Sequence, residues 1–141
     1  MEQIEECISF LVGKAHQQVN QAAKQRLAPY GVTPVQFAVL HGLWQRDGQS
    51  GAELSERLLL DSATMTGILD RLAAAGLIER RPDSTDRRIN RVVLTERGRA
   101  LQAPLNREMD EMNDEFFGRF SAEDAARLRA LLAELGNVEV V

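Results

Sequence analysis

The chain has 141 residues, 27% of them charged, with a net charge of −4 and one cysteine. That length fits one domain, and the lone Cys7 excludes an internal disulfide framework and accords with a reducing cytoplasm. No apolar run approaches the ~18–20 residues that would span a membrane, and the acidic start Met1-Glu2-Gln3-Ile4-Glu5-Glu6 is unlike a signal or transit peptide.

Ile4, Ile8, Leu11, Val12, Ala15, Val19, Ala22 and Ala23 recur at helical spacing and predict one long helix over 3–28, closing near Pro29. A small domain has too little core to bury such a stripe, which therefore suits packing on a partner. Thr33-Pro34-Val35-Gln36 is a helix start, with a threonine cap, a first-turn proline and a glutamine three residues after the cap. The helix carries Phe37, Val39, Leu40, Leu43 and Trp44 and stops at Asp47-Gly48. Ser50-Gly51-Ala52-Glu53 repeats the capping pattern and opens a shorter helix through Leu54 and Leu58. Asp61 or Ser62 caps a third helix, which runs to about Ala75 and closes on Gly76. There Met65, Ile68, Leu69 and Leu72 share one face. The other holds Ala63, Gly67, Asp70 and Ala74, flanked by Thr64, Thr66 and Arg71. Taken alone, that face reads equally well as solvated surface. Joined to a wing, its small and hydroxyl side chains suit a major groove, where threonine meets base edges, phosphates or a thymine methyl.

Leu77 to Arg81 and Ile89 to Leu94 read as two strands, with turn chemistry at Pro82, Asp83, Ser84 and Thr85. Between Gly76 and Arg99 seven arginines stand against four acids, a local charge of +3 that leaves −7 for the remainder. A basic wing on an acidic body favours one docking orientation on an anionic partner. Thr95 then caps a long helix from Glu96 to about Gly118, with Leu101, Leu105, Met109, Met112 and Phe116 inward and a kink expected at Pro104. Ser121 starts a last helix with Ala125, Leu128, Leu131, Leu132 and Leu135 on one side. The expected fold is mainly α with a small β-hairpin wing: a winged helix-turn-helix over 30–97, flanked by helical segments 1–29 and 98–141.

Three stretches carry a family resemblance: Leu27 with Tyr30-Gly31-Val32-Thr33-Pro34-Val35-Gln36; Leu60-Asp61-Ser62-Ala63-Thr64-Met65-Thr66; and Leu69-Asp70-Arg71-Leu72 with Gly76-Leu77-Ile78-Glu79-Arg80, Asp86-Arg87-Arg88 and Leu94-Thr95-Glu96-Arg97-Gly98. In these, over essentially its whole length, the chain resembles the MarR family of bacterial transcription regulators. The resemblance implies a homodimer, and more a repressor than an activator. The terminal helices would interlock, and two recognition helices would read a near-palindromic operator in double-stranded DNA. Ser62, Thr64, Thr66 and Arg71 would serve the major groove and its phosphates. Arg88 matches the family's minor-groove arginine and Asp86 the carboxylate that holds it, with Arg87 and Arg91 beside them. A narrow A·T-rich minor groove attracts such a fixed guanidinium, and a carboxylate two residues away can orient it through a planar pair. Asp86 and Arg88 would also staple the hairpin. Gly67 stands where many relatives carry a larger polar or basic residue, which leaves the operator sequence open. Asp70, like-charged with phosphate, is expected to pair with Arg71 or a wing arginine.

The resemblance also implies a small phenolic or carboxylate effector between the terminal helices and the winged region. Phe10, His16, His41 and Trp44 are candidates for its pocket, although a histidine or tryptophan among helices is more often a core residue. A thiol-oxidation switch through Cys7 is a second route, although Ser9 occupies the position matching the family's peroxide-sensing cysteine, and Glu5 and Glu6 disfavour a thiolate. Two histidines and one cysteine show no metal-ligand spacing, and no cofactor is expected. No nucleophile–base pair or phosphate loop appears, so an enzyme is not expected. The other class left open is a winged-helix protein–protein module, against which the clustered wing arginines argue.

Overall fold

The computed structural model describes residues 1–139. Its helices are α1 (Ile8–Leu27), α2 (Pro34–Gln45), α3 (Gly51–Leu58), α4 (Ser62–Ala74), α5 (Glu96–Ala100), α6 (Gln102–Phe117) and α7 (Ala122–Leu135). The strands are β1 (Gln49–Ser50), β2 (Ile78–Pro82) and β3 (Asn90–Leu94). They form an antiparallel sheet in the order β1-β3-β2, with Ile78 opposite Leu94, Arg81 opposite Arg91 and Ser50 opposite Arg91. Leu27, Leu40, Leu54, Met65, Leu72, Ile78 and Leu105 are fully buried, so one core joins α1, α2, α3, α4, α6 and the hairpin.

Local chemistry sets most element ends. At α2 the capping box is complete: Gln36 N donates to Thr33 Oγ1 at 3.2 Å and Thr33 N to Gln36 Oε1 at 3.1 Å. At α3 only half of it forms. Ser50 Oγ accepts from Glu53 N at 3.1 Å, whereas the Glu53 carboxylate turns away to arginines 46 and 91. Asp61 caps α4, Thr95 caps α5 and Ser121 caps α7 in the same way.

Four details differ from the sequence expectation. The first helix begins at Ile8, because Cys7 is extended and separates it from a 3-10 turn over Ile4–Glu6. Hydrophobic periodicity passes through a one-residue break unchanged. At the other end, a 3-10 turn over Ala28–Tyr30 carries the chain past Pro29 to Gly31, whose φ of 71° ends it. The sheet has a third strand, β1, too short to show alternation. Its Gln49 is tolerated in the buried interior because the amide donates to the carbonyls of Gly42 at 2.9 Å and Arg46 at 2.6 Å at the end of α2. Finally, the long helix predicted over 96–118 divides at Leu101. Pro104 has no N–H for the Ala100 carbonyl and its ring crowds that oxygen, so the break falls one turn before the proline.

No helix among the described residues is long and apolar enough to cross a membrane. On α1 the side chains of Ile8, Leu11 and Val12 are 60%, 52% and 44% exposed, and on α7 Leu131, Leu132 and Leu135 are at least half exposed. Both terminal helices thus present apolar stripes that this single chain does not cover.

Gly98, buried on α5, faces the Leu77 carbonyl so closely that an added Cβ would overlap its oxygen, which is backbone and has little freedom to yield. Gly98→Ala is expected to lower the unfolding free energy by about 3 kcal/mol through this overpacking. Urea denaturation of the two proteins side by side measures it, and coincident midpoints would show that the junction relaxes freely.

Candidate nucleic-acid interface

The surface of α4 is organised by its cap. Asp61 Oδ1 accepts from Thr64 N at 2.8 Å, and Oδ2 accepts the Thr64 hydroxyl at 2.9 Å. These two contacts, the backbone N–H first, hold the Asp61 carboxyl below its ordinary pKa. One turn on, the Thr66 hydroxyl donates to the Ser62 carbonyl at 2.8 Å. Both threonines are exposed, and both hydroxyl protons are committed within the helix. Outward they offer acceptor lone pairs and methyl groups. Ser62 and Arg71 are exposed on the same helix, and Arg71 has no ion-pair or hydrogen-bond partner among the described residues. Asp70 pairs with Arg80 of β2 at 2.7 Å, which ties α4 to the wing by one of the expected routes.

At the wing tip, Asp83 is the organiser. Its Oδ2 accepts from the Thr85 hydroxyl at 2.7 Å, Asp86 N at 3.0 Å and Thr85 N at 3.1 Å, and its Oδ1 accepts from Arg91 Nε at 2.9 Å. The Thr85 hydroxyl first, then Arg91 and the two backbone N–H groups, hold this carboxyl far below the usual carboxylate range. Asp86 then grips Arg88 with both oxygens: Nε donates to Oδ1 at 3.0 Å and Nη2 to Oδ2 at 3.1 Å, while Arg88 N also donates to Oδ1 at 3.1 Å. That pairing lowers the Asp86 pKa and raises that of Arg88. The Arg88 side chain is nevertheless 90% exposed. It is a planar cation fixed in orientation and open to solvent, the geometry that minor-groove insertion requires.

The other wing arginines divide. Arg87 is exposed, with no partner among the described residues. Arg91 turns inward, 32% exposed, with Nη1 donating to Glu53 Oε1 at 2.9 Å and Nε to Asp83. The tip cations are therefore Arg87 and Arg88. Sequence reasoning read Asp83 only as a turn former and Glu53 only as a capping residue. Their second role joins residues 38 and 8 positions from Arg91, which no local pattern displays.

The effector candidates do not converge. An open cleft of about 410 Å³ lies between α2, the end of α3 and α6, lined by Phe37, His41, Leu58, Asn106, Met109 and Asp110 among others. His41 faces it, but Phe10, His16 and Trp44 are not in its lining. His16 is exposed on α1, and the Phe10 ring lies under Lys14 Nζ. Trp44 packs edge-on to His41 and Phe37, while its Nε1 donates to the Gly98 carbonyl at 2.9 Å. Cys7, half-buried, sits in the extended link before α1.

A helix with a capped polar face, packed against a three-stranded wing that displays a rigid guanidinium, defines a winged helix-turn-helix DNA-binding protein. Residues 32–89 match the MarR family. The chain is 32% identical to the transcriptional repressor NicR of Pseudomonas putida over 94% of its own length and 84% of NicR. It is 36% identical to the regulator TtmR of Methylorubrum extorquens over 70% of its own length, a match spanning about half (51%) of that protein. Among solved structures it superposes on Bordetella bronchiseptica BpsR, studied for regulation of its DNA binding by 6-hydroxynicotinic acid, with a TM-score of 0.90 at 25% identity over 99% of both chains. It superposes on a mutant of Escherichia coli MarR complexed with operator DNA with a TM-score of 0.85 at 27% identity, covering 96% of this chain and 99% of that one. The chain belongs to the MarR family of DNA-binding transcriptional regulators.

Asp83 and Asp86 have depressed native pKa values, so the stability they supply is present above the unfolded value of ~3.9 and is lost only as pH falls through the native ones. The wing should stay ordered at pH 5, and carboxyl carbon resonances of both residues should titrate well below an aspartate in an unfolded peptide. Titration of either at the unfolded value would mean that its contacts do not persist in solution.

Proposed function

We propose that this protein is a homodimeric repressor that binds a near-palindromic operator and releases it when a small effector occupies the cleft beside α2 and α6. The observation that carries the DNA reading is the Asp86–Arg88 pair, an exposed guanidinium held by both carboxylate oxygens. Segment 30–97 is the reading head: α4 supplies Ser62, Thr64, Thr66 and Arg71 to the major groove, and Arg87 and Arg88 reach the flanking minor groove. Segments 1–29 and 98–141 form the dimer, a role supported by the uncovered stripes of α1 and α7. Half-sites would then lie about one helical turn apart.

An effector in the cleft would meet the aromatic edge of Phe37 and His41 and the amides of Asn106 and Asn113. A phenol or carboxylate on a flat ring can use both kinds of contact. The regulation of BpsR by 6-hydroxynicotinic acid supports this class of ligand, and the NicR description supports repression.

The test begins with duplexes selected by the purified protein from a randomised library. Arg88→Ala should weaken binding to the selected duplex at least tenfold and reduce the salt dependence by about one phosphate equivalent per wing, while sedimentation still reports a dimer. Unchanged affinity in Arg88→Ala would remove the wing from the interface. Failure to select any duplex at low salt would favour a protein–protein module.

A further inference from the structure

We propose that Arg91 is a positioning residue that fixes the angle of the wing tip to α3, and through it the aim of Arg88, and that it makes no DNA contact of its own. The proposal rests on the reading of the wing as a DNA-binding element.

Arg91 lies on the central strand of the sheet, paired on one side with Ser50 of β1 and on the other with Arg81 of β2. Its guanidinium spans two carboxylates from different parts of the fold. Nη1 reaches Glu53 in the first turn of α3 and Nε reaches Asp83 at the start of the tip turn, each at 2.9 Å. Asp83 in turn accepts the N–H of Asp86, and Asp86 holds Arg88 by three hydrogen bonds. A continuous series of charge-assisted bonds therefore runs from the body at Glu53, through Arg91 and Asp83, to the exposed cation at Arg88.

Electrostatics argues against a phosphate role for Arg91. The Arg91 guanidinium is held between two carboxylates, and with Arg46 on the second oxygen of Glu53 at 2.7 Å the four groups sum to zero charge, which leaves no net cation there for a phosphate. To meet a phosphate, Arg91 would have to leave Asp83 and so loosen the turn that presents Arg88. A rigid, planar fork can hold two carboxylates in fixed relation, whereas a single ammonium at the end of a flexible stem cannot.

The experiment uses the full chain and the duplex selected by the wild-type protein, with affinities measured across a salt series. Arg91→Ala and Arg91→Lys should both weaken binding, by about tenfold, with a salt slope that falls no further than that of Arg88→Ala. The Arg88→Ala/Arg91→Ala double variant should bind no more weakly than Arg88→Ala alone, because Arg91 acts only through Arg88. Glu53→Gln should weaken binding severalfold although it makes the protein less acidic; it also keeps the test open if the Arg91 variants melt early. Wild-type affinity in Arg91→Lys, a slope in Arg91→Ala reduced beyond that of Arg88→Ala, additive losses in the double variant, or tighter binding by Glu53→Gln would each overturn the proposal. These failures leave the DNA reading standing. Selection of no duplex at all would overturn that reading and this proposal with it.

Discussion

The wing stands on one threonine. Thr95 donates its hydroxyl proton to the Gly76 carbonyl at 2.6 Å, accepts from Gly98 N at 3.1 Å, and gives its own N–H to the Leu77 carbonyl at 3.1 Å. Trp44 Nε1 closes the group from α2 by donating to the Gly98 carbonyl. Here the end of the recognition helix, both hairpin strands, α2 and α5 meet within hydrogen-bonding distance. Gly98 must lack a side chain because the backbone at Leu77 fills that space, and Gly76 must take a φ of 74° to turn from α4 into β2. The orientation of the reading head relative to the helical body follows from this junction, since β3 leaves it toward the tip and α5 leaves it toward α6.

Charge in the hairpin is more segregated than composition implies. Arg80 pairs with Asp70, Arg81 with Glu79 and Arg91 with Asp83 and Glu53. Arg97 and Arg99 donate to the carbonyls of Ala75 and Leu94. Arg80, Arg91 and Arg99 therefore bind the wing to the rest of the chain. The cations left at the tip are Arg87, which has no partner among the described residues, and Arg88, which stays 90% exposed while paired with Asp86. Exposed pairs of this kind add little stability one at a time, but here they determine where a ribbon points.

Most of this was legible in the residues because helix caps and hairpin turns are local chemistry. Thr33 with Gln36, Asp61, Thr95 and Ser121 each cap the helix their spacing announces. The buried face of α4 is Met65, Ile68, Leu69 and Leu72, as the helical wheel requires. The Asp86–Arg88 pair was readable too, its partners being two residues apart. What stayed hidden was either very short or very distant. Two residues cannot display the period of a strand, so β1 was invisible. Arg91 and Glu53 are remote in sequence, so the inward turn of Arg91 onto two carboxylates was not readable from its place among the wing arginines. Histidines and aromatics on three helix turns carry no mark of which way they face; of the four effector candidates, His41 lines the cleft between α2 and α6.

The division of the long helix at Leu101 has a mechanical consequence. Beyond it α6 runs 16 residues to Phe117, about 24 Å at 1.5 Å per residue, while α5 before it is anchored to the wing junction. A bend of about 5° at that point carries the far end of α6 sideways by about 2 Å, half the width of a methyl-to-methyl contact spacing or more. The proline one turn on removes the hydrogen bond that would resist such a bend. A small rotation near Leu101 would thus be magnified into a displacement at Phe117, and a given displacement at Phe117 corresponds to a much smaller one where α5 meets the wing junction.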